Sequence, residues 1–405
     1  MKAVEENPDG ITQAEIVIGI PSYNEAENIP FPTRQSDEGL SRYFSDRSAV
    51  IVNCDNDSAD GTKESFLRTP TKNPKIYIST PPGVTGKGHN LRNLFEKAVE
   101  LSATAIVVVD ADVRSITPRW IRNLGEPLFE EFQYVTPLYV RHKYDGIVTT
   151  NIVYPMTRAL YGRRVRQPVG GDFGFSGQLA KACVDNSMWD HDVANFGIDL
   201  WISTSALTQH VPVIQSFLGR PKVHRLRTLV RETEPVFYNL VGTLFNLMCR
   251  YEEFWKDVKW SRPTAVYGFS SEEVEVPPPV SVEMQELTDS FLTGMETNRE
   301  LYRKVLKEQS LNKLEEVAGL PRDCFEFPTE LWAKVLYDFA CAYKTGAVPT
   351  DVLLGGLMPL FHGKTLSFAI ETEAMNTHQA EEFVEEQCMQ FERTKPYLFE
   401  RWFSA

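Results

Sequence analysis

Four short runs of apolar and β-branched residues recur early in the chain, at 15–20, 48–53, 75–80 and 104–110. Polar stretches with helical spacing, such as 86–102, separate them. Short apolar runs are typical of buried strands, and their alternation with helices indicates parallel βαβ units. We therefore predict an α/β fold with a mostly parallel sheet and helices on both faces. In such sheets ligands bind at the carboxyl ends of the strands.

The pattern changes in the last part of the chain. From about residue 229 the apolar positions recur every three or four residues, which predicts a mainly α-helical C-terminal region. The preceding stretch mixes strand-like pieces with one predicted helix and a glycine-rich turn. We therefore predict a ligand-binding domain over 1–230 and a helical domain over 231–405, with a proline-rich break near 269–283.

Composition and charge exclude several functional classes. The chain has 405 residues, with 55 acidic and 42 basic side chains and a net charge of −13. This balance argues against general nucleic-acid binding, which needs a basic surface. There is no run of 18 apolar residues and no signal-peptide pattern, so we expect no membrane span. The six cysteines form no CxxC pair, which favours reduced thiols and a cytoplasmic protein.

Two acidic residues, Asp110 and Asp112, end the fourth apolar run. Carboxylate oxygens are the ligands that Mg²⁺ and Mn²⁺ prefer, and such a cation commonly bridges phosphate oxygens of a substrate. The alternative is a solvated turn in which an aspartate caps the following helix. The motif alone does not decide between these interpretations.

Three phosphate-binding schemes compete for these strand ends. A dinucleotide-binding Rossmann domain needs a G-x-G-x-x-G turn after its first strand, where this chain has Pro21-Ser22-Tyr23. A P-loop is also excluded, because Gly88 follows Lys87 where serine or threonine is required. A nucleotide-sugar site fits better, since a lysine and a divalent cation together can neutralise a departing diphosphate.

Four motifs in order carry a family resemblance: IGIPSYNEAENI, DNDSADGT, TGKGHNL and VVVDADV. With them, the chain resembles the GT-A fold retaining glycosyltransferases that include glucosyl-3-phosphoglycerate synthase and glucosylglycerate synthase. The later segments RQPVGGDFGFSG, FGIDL and LGRPKVHR are similar to further motifs of that family. The resemblance covers about 15–230. It implies a GT-A domain that binds a nucleotide-sugar and an acceptor, with Mg²⁺ or Mn²⁺ as cofactor.

The resemblance also implies roles for single residues. The nucleotide-sugar side comprises Pro21, Tyr23, Glu25, Asp55, Asn56, Lys87 and Asp110. The metal ligands are Asp112 and His224, and the residues expected to act in catalysis are Lys87, Asp110, Asp112 and Asp199, the last near the acceptor hydroxyl. The acceptor side comprises Thr149, Gly170, Gly171 and Asp172.

Two differences from related glycosyltransferases bear on the acceptor and on the stereochemistry of transfer. Phosphoglycerate-using relatives carry an arginine where this chain has Ile147, while Thr149 is kept. An isoleucine cannot pair with a phosphate, so we expect an acceptor without one, D-glycerate being the natural choice. Basic residues nearby leave a charged acceptor open: Arg141, Lys143, Arg163, Arg164 and Arg166. The inverting-type Q/R-x-x-R-W motif has no counterpart at a suitable place, which favours retention of configuration.

Several alternatives remain open at this point. The enzyme alternatives are a glucosyl-3-phosphoglycerate synthase or a mannosyl-transferring relative, with a UDP-, ADP- or GDP-hexose donor. The non-enzymatic alternative is a nucleotide-binding interaction protein. A sugar nucleotidyltransferase is disfavoured, because the first predicted strand lacks a glycine-rich loop. Relatives often form dimers, so a homodimer is a further expectation.

Overall fold

The computed structural model describes residues 4–185, 197–223, 229–268 and 276–404. The strands are β1 Val4–Glu6, β2 Ile16–Ser22, β3 Ala49–Asp55, β4 Lys75–Ser79, β5 Ala105–Val108, β6 Tyr134–Val140, β7 Arg163–Arg164, β8 Phe173–Ser176, β9 Val213–Pro221, β10 Arg262–Pro263 and β11 Val266–Tyr267.

The helices of the described residues are α1 Pro30–Tyr43, α2 Thr62–Arg68, α3 Lys87–Glu100, α4 Pro118–Gly125, α5 Tyr154–Tyr161, α6 Gly177–Val184, α7 Ile198–Thr208, α8 Leu229–Arg250, α9 Glu252–Trp255, α10 Met284–Thr297, α11 Arg299–Val305, α12 Glu308–Ala318, α13 Thr329–Thr345, α14 Thr350–Thr372 and α15 Thr377–Phe403. A π-helical turn, Thr149–Val153, leads directly into α5.

The described residues form two compact units that interleave along the chain. The first takes in the described parts of 1–140, 165–226 and 264–277, and the second those of 141–164, 227–263 and 278–405. The predicted boundary at residue 230 differs from this division by two segments. The segment 141–164 contains α5, which packs against α15, and the segment 264–277 contains β11, which pairs with β9.

The first unit is built on a nine-stranded sheet of order β1-β4-β3-β2-β5-β8-β6-β9-β11. The central pairs β4/β3, β3/β2 and β2/β5 are parallel, and β8 runs antiparallel to both of its neighbours. The order β4-β3-β2-β5 is that of a doubly wound sheet, in which the winding direction reverses between β2 and β5. A ligand crevice is expected outside the carboxyl ends of these two strands.

Helices cover both faces of the sheet because successive strand side chains point to opposite sides. Ile18 of β2 belongs to an apolar cluster with Leu40 of α1 and Ile121 of α4. On the other face, a Cβ at Gly19 would lie 2.1 Å from Leu94 Cδ2 of α3, so this strand position has no room for a side chain. The predicted fold class, a mostly parallel α/β sheet followed by a mainly helical region, is confirmed.

The second unit is mainly helical and contains buried charges as well as apolar side chains. Arg158 of α5 donates to Glu392 Oε1 at 2.7 Å and to Glu385 Oε2 at 2.5 Å, both on α15. Trp332 of α13 donates to the carbonyl oxygen of Asn151 at 2.8 Å. These hydrogen bonds join the segment 141–164 to the C-terminal helices. The residues involved are far apart in sequence, so helical periodicity could not predict the contacts. Within the described ranges, no helix has both the length and the apolar character that crossing a membrane requires.

A buried lysine predicts a pH-dependent stability for this unit. Lys364 of α14 is 0% exposed and donates to the carbonyl oxygen of Phe327 at 3.2 Å and to Thr329 Oγ1 at 3.3 Å. Burial lowers the pKa of Lys364 to about 8, although Glu371 and Glu326 oppose the shift. Below pH 8 the folded protein carries the whole cost of the buried charge. Between pH 8 and the ordinary lysine pKa the folded chain has lost this proton and the unfolded chain has kept it, so stability rises with pH.

Because folded Lys364 loses its proton in this range, we expect the free energy of unfolding to rise by about 2 kcal/mol between pH 7 and 9.5. Denaturant titrations of wild type and Lys364→Met across this range measure it, because the difference between the two proteins should change by that amount. Lys334→Met is the matched control, since Lys334 is partly exposed and ion-paired with Glu330. A wild-type-to-Lys364→Met difference that stays constant with pH contradicts the prediction.

Candidate active site at the carboxyl edge of the sheet

The ends of β2 and β3 are joined through a buried carboxylate. Asp55, at the end of β3, is 0% exposed. Its Oδ1 accepts hydrogen bonds of 2.7 Å from both Ser22 Oγ and Ser58 Oγ, and its Oδ2 accepts from the Tyr77 hydroxyl at 3.0 Å. The backbone N–H of Ser58 adds a further bond to Oδ2 at 2.7 Å. Through these hydrogen bonds, Asp55 holds the ends of β2 and β3 together. A direct contact of Asp55 with a nucleobase stays a prediction.

The loop after β2 is held by side chains of the loop after β3. The backbone N–H groups of residues 24, 25 and 26 donate to Ser58 Oγ, Thr62 Oγ1 and Asp60 Oδ2 at 2.7–3.0 Å. Tyr23 is 54% exposed beside this loop, whereas Pro21 is buried within β2. A rigid loop with an exposed ring is a suitable platform for stacking a nucleobase.

A pair of asparagines positions the start of α3. Asn56 Nδ2 donates to Asn90 Oδ1 at 2.5 Å, and Asn56 Oδ1 accepts from the Gly86 N–H at 2.8 Å. Asn90 Nδ2 donates in turn to the carbonyl oxygen of Ser22 at 3.0 Å. Gly86 has a φ of 129°, a conformation that side-chain-bearing residues rarely adopt. Together these contacts place Lys87, the first residue of α3, beside the ends of β2 and β5.

Lys87 bridges two carboxylates that are far apart in sequence. Its Nζ lies 2.9 Å from Asp110 Oδ1, just after β5, and 3.2 Å from Asp199 Oδ2, in the first turn of α7. Burial alone would lower the pKa of Lys87, but the two carboxylates outweigh it and hold that pKa above its ordinary value. Lys87 is therefore a fixed positive charge at neutral pH, located at a helix N-terminus where anions are also favoured.

The two aspartates differ in their surroundings. Burial alone would raise the pKa of Asp110, but Lys222 and Lys87 outweigh it and hold that pKa well below its ordinary value. Asp199 is 6% exposed, and burial raises its pKa above the ordinary value against the opposing charge of Lys87. Asp199 Oδ1 is buried and accepts no hydrogen bond from any described residue. One carboxylate oxygen is thus left to accept a hydroxyl of a ligand.

Lys222 is a member of this cluster that the sequence analysis did not single out. It is 7% exposed, and its Nζ lies 3.0 Å from Asp110 Oδ2 and 2.9 Å from Asp172 Oδ2. It also donates to the carbonyl oxygen of Gly170 at 2.7 Å. In the sequence, Lys222 lies in the segment LGRPKVHR at the end of β9, two residues before His224, and no other feature of the sequence points to it.

Asp112 stands apart from these ion pairs. The side chain is half-buried, and it forms no hydrogen bond or ion pair with any residue that the structure describes. The expected second metal ligand, His224, lies outside the described residues. Among the described residues, no group of three or more His, Cys, Asp or Glu side chains is arranged to hold a metal. A carboxylate without a partner among the described residues nevertheless fits a hard cation that takes most of its oxygens from a substrate and water.

Most of the predicted site residues belong to one compact unit. The first unit contains every predicted nucleotide-sugar residue, Asp112, Asp199 and the turn Gly170-Gly171-Asp172. Thr149 belongs to the second unit, where it is buried in the π-helical turn. Glu25 is half-buried and accepts from Asn28 Nδ2 at 2.6 Å.

Comparison with known proteins gives similarity only at the level of structure. No protein-family model and no curated protein matches the chain. Among solved structures, glucosyl-3-phosphoglycerate synthase from Mycobacterium tuberculosis in complex with Mn²⁺, UDP and glucosyl-3-phosphoglycerate matches with a TM-score of 0.45 and 19% identity, covering 58% of this chain and 80% of that one. The same enzyme with Mg²⁺ and UDP gives 0.45 and 19%, covering 58% and 79%. A further mycobacterial protein gives 0.44 and 18%, covering 58% and 74%. Similarity this weak does not assign a ligand or an activity to the chain.

Proposed function

We propose that this chain is a metal-dependent, retaining glycosyltransferase that moves a hexose from a nucleotide-sugar to a small hydroxy acid. The observation that carries the proposal is the Lys87–Asp110–Asp199 cluster at the carboxyl edge of the sheet. Asp110 of this cluster lies two residues before Asp112, which has no hydrogen bond or ion pair with a described residue. A fixed cation at a helix N-terminus suits a diphosphate, and buried carboxylate oxygens suit sugar hydroxyls.

The donor would lie across the ends of β2, β3 and β5. The exposed ring of Tyr23 can stack on a nucleobase, while Glu25 and Asn56 line the same edge. Lys87 has a partly exposed side chain, so its ammonium can exchange a carboxylate for a phosphate oxygen. That exchange would stabilise the negative charge that grows on the diphosphate as it departs.

Asp112 and His224 would hold the cation. When bound, Mg²⁺ or Mn²⁺ would supply Lewis-acid stabilisation of the diphosphate leaving group. The half-buried carboxylate of Asp112 supports this assignment, because it has no hydrogen bond or ion pair with any described residue and is therefore suited to a ligand.

Retention requires no protein nucleophile in this proposal. The bond between the anomeric carbon and the diphosphate oxygen breaks, and the acceptor hydroxyl oxygen bonds to the anomeric carbon on the same face. The hydroxyl proton passes to the departing diphosphate oxygen. Asp110 and Asp199, both paired with Lys87, would orient sugar hydroxyls, so positioning supplies much of the rate.

We propose D-glycerate as the acceptor and glucose as the hexose. Ile147 is buried and apolar, and Thr149 is the one kept member of the motif with which relatives grip a phosphate. Lys143 is one of the basic residues that could bind an acidic acceptor, but it caps a helix C-terminus instead. Its Nζ donates to the carbonyl oxygens of Thr372, Glu373 and Met375 at 2.6–2.9 Å. With these three hydrogen bonds, the Lys143 ammonium has all its donors engaged and offers none to an acceptor phosphate.

A donor and acceptor screen tests the proposal. UDP-, ADP- and GDP-glucose are each incubated with D-glycerate or 3-phosphoglycerate, in the presence of Mg²⁺ or Mn²⁺, and the products are resolved by mass spectrometry. We expect kcat/KM for glycerate to exceed that for 3-phosphoglycerate about 10-fold or more. The reason is that a phosphate in this site would lack a charge-assisted hydrogen bond. The reverse preference overturns the acceptor assignment, and no transfer from any donor overturns the proposed activity.

A further inference from the structure

The hydrogen-bond partners of Lys222 differ from those of Lys87, and they indicate a different role. Its ammonium contacts Asp110 Oδ2, Asp172 Oδ2 and the carbonyl oxygen of Gly170, each at a distance between 2.7 and 3.0 Å. An ammonium group has three donors, and these three acceptors alone are enough to engage all of them. The ammonium also lies 5.1 Å from the centroid of the Tyr139 ring. Lys222 therefore has little capacity to bind a substrate phosphate without breaking this arrangement.

The same group of residues fixes Asp110 at two points. Asp172 Oδ1 accepts the backbone N–H of Asp110 at 2.9 Å, while Lys222 holds the Asp110 side chain. Asp172 is itself 0% exposed, and its Oδ2 accepts from the Tyr139 hydroxyl. The Tyr139 hydroxyl also lies 2.9 Å from the carbonyl oxygen of Gly170. Both the main chain and the carboxylate of Asp110 are thus tied to one buried network.

The glycine turn allows this network to form. Gly171 has a φ of 82°, and a Cβ there would lie 1.9 Å from Asp110 Oδ2 and 2.9 Å from Lys222 Nζ. Any side chain at this position would displace the ion pair. At Gly170, a Cβ would lie 2.4 Å from Pro137 Cγ, so the neighbouring position is equally closed. Gly171 therefore leaves room for the Asp110–Lys222 contact, and Gly170 supplies a carbonyl oxygen to Lys222, in addition to the acceptor role expected for both.

We propose that Lys222, Asp172 and Tyr139 form a positioning network that holds Asp110 in its working orientation. Lys222 is then a positioning residue that acts through Asp110, whereas Lys87 is the lysine that binds the substrate. The kinetic consequences rest on the proposed glycosyltransferase function, but the structural consequence does not. Removing Lys222 should move Asp110 whatever reaction the site performs.

The kinetic test compares Lys222→Met with Lys222→Arg, using the donor and acceptor that the wild type accepts. Displacing an orienting group by about 1 Å typically costs about 100-fold in rate. We expect Lys222→Met to lower kcat about 100-fold and to change the donor KM less than about 3-fold, while Lys222→Arg recovers to within about 10-fold of wild type. A raised donor KM with unchanged kcat in Lys222→Met overturns the proposal, because it indicates direct donor binding.

A milder variant guards against misfolding, because Lys222→Met leaves the buried carboxylate of Asp172 and the partly buried carboxylate of Asp110 without this partner. Tyr139→Phe removes only the hydroxyl and keeps the ring, so we expect the same pattern with kcat about 3- to 10-fold lower. Lys181→Met, at an exposed position of α6, is the control that should match wild type. A Tyr139→Phe enzyme with wild-type kcat overturns the proposal.

A crystal structure of Lys222→Met, or of Tyr139→Phe if the first variant does not fold, provides the readout that is independent of activity. The proposal expects the Asp110 carboxylate to leave its wild-type position. An unmoved Asp110 overturns the positioning role even if activity falls. If the wild type transfers no sugar, the proposed function fails, and the position of Asp110 still decides this inference.

Discussion

Asp112→Ala should lower kcat/KM about 1,000-fold and remove the response of the enzyme to Mg²⁺ and Mn²⁺, because the carboxylate is the proposed protein anchor of the cation. Since Asp112 has no hydrogen bond or ion pair with a described residue, its removal should change the free energy of unfolding by less than about 0.5 kcal/mol. The measurements are a metal titration of activity and a denaturant titration of stability.

Two further variants sharpen that experiment. Asp112→Asn keeps one oxygen ligand without the charge, so its activity should lie between wild type and Asp112→Ala and should require more metal. Asp185→Ala, at the exposed end of α6, controls for loss of a negative charge from an acidic protein. An Asp112→Ala enzyme that keeps wild-type turnover and metal response refutes the cation site.

Lys87→Met is expected to lower kcat about 100- to 1,000-fold, because it removes the positive charge placed to stabilise the departing diphosphate. The pKa of Lys87 is held above its ordinary value, so this charge is present throughout the neutral range in the wild type. Initial rates at saturating donor and acceptor measure the effect. Retention of wild-type kcat contradicts it.

The variant also leaves Asp199 buried without its cation, which destabilises a fold by about 3–5 kcal/mol. The double variant Lys87→Met/Asp199→Asn removes that unpaired charge. If the lysine acts on the leaving group, the double variant should regain stability and remain far less active than Asp199→Asn alone. Recovery of activity together with stability indicates instead that Lys87 serves only to neutralise Asp199.

Local periodicity explains why the sheet and its edge were predictable. The runs that became β2, β3, β4 and β5 are short, apolar and β-branched, and each is followed by polar residues whose spacing indicates a loop or a helix. Parallel strands bring their carboxyl ends to one edge, so residues at four separate points of the sequence could be expected together. The Lys87–Asp110 pair, 23 residues apart, satisfies that expectation.

The parts that were missed depend on contacts without a local pattern. Lys222 meets Asp110 across 112 residues, and nothing in the neighbourhood of either residue specifies the other. Asp55 accepts hydrogen bonds from Ser22, Ser58 and Tyr77, contacts that its motif does not specify, and its role as a nucleotide ligand stays a prediction. The assignment of 141–164 to the second unit depends on bonds such as that of Arg158 to Glu392, 234 residues away.

The most direct test of the account is anomalous diffraction from crystals of the wild type grown with Mn²⁺ and the nucleotide of the accepted donor. The account predicts a single strong manganese peak beside the Asp112 carboxylate, in contact with the nucleotide phosphates, and no such peak in Asp112→Ala crystals. A manganese peak away from Asp112, or nucleotide bound with no manganese at all, would contradict it.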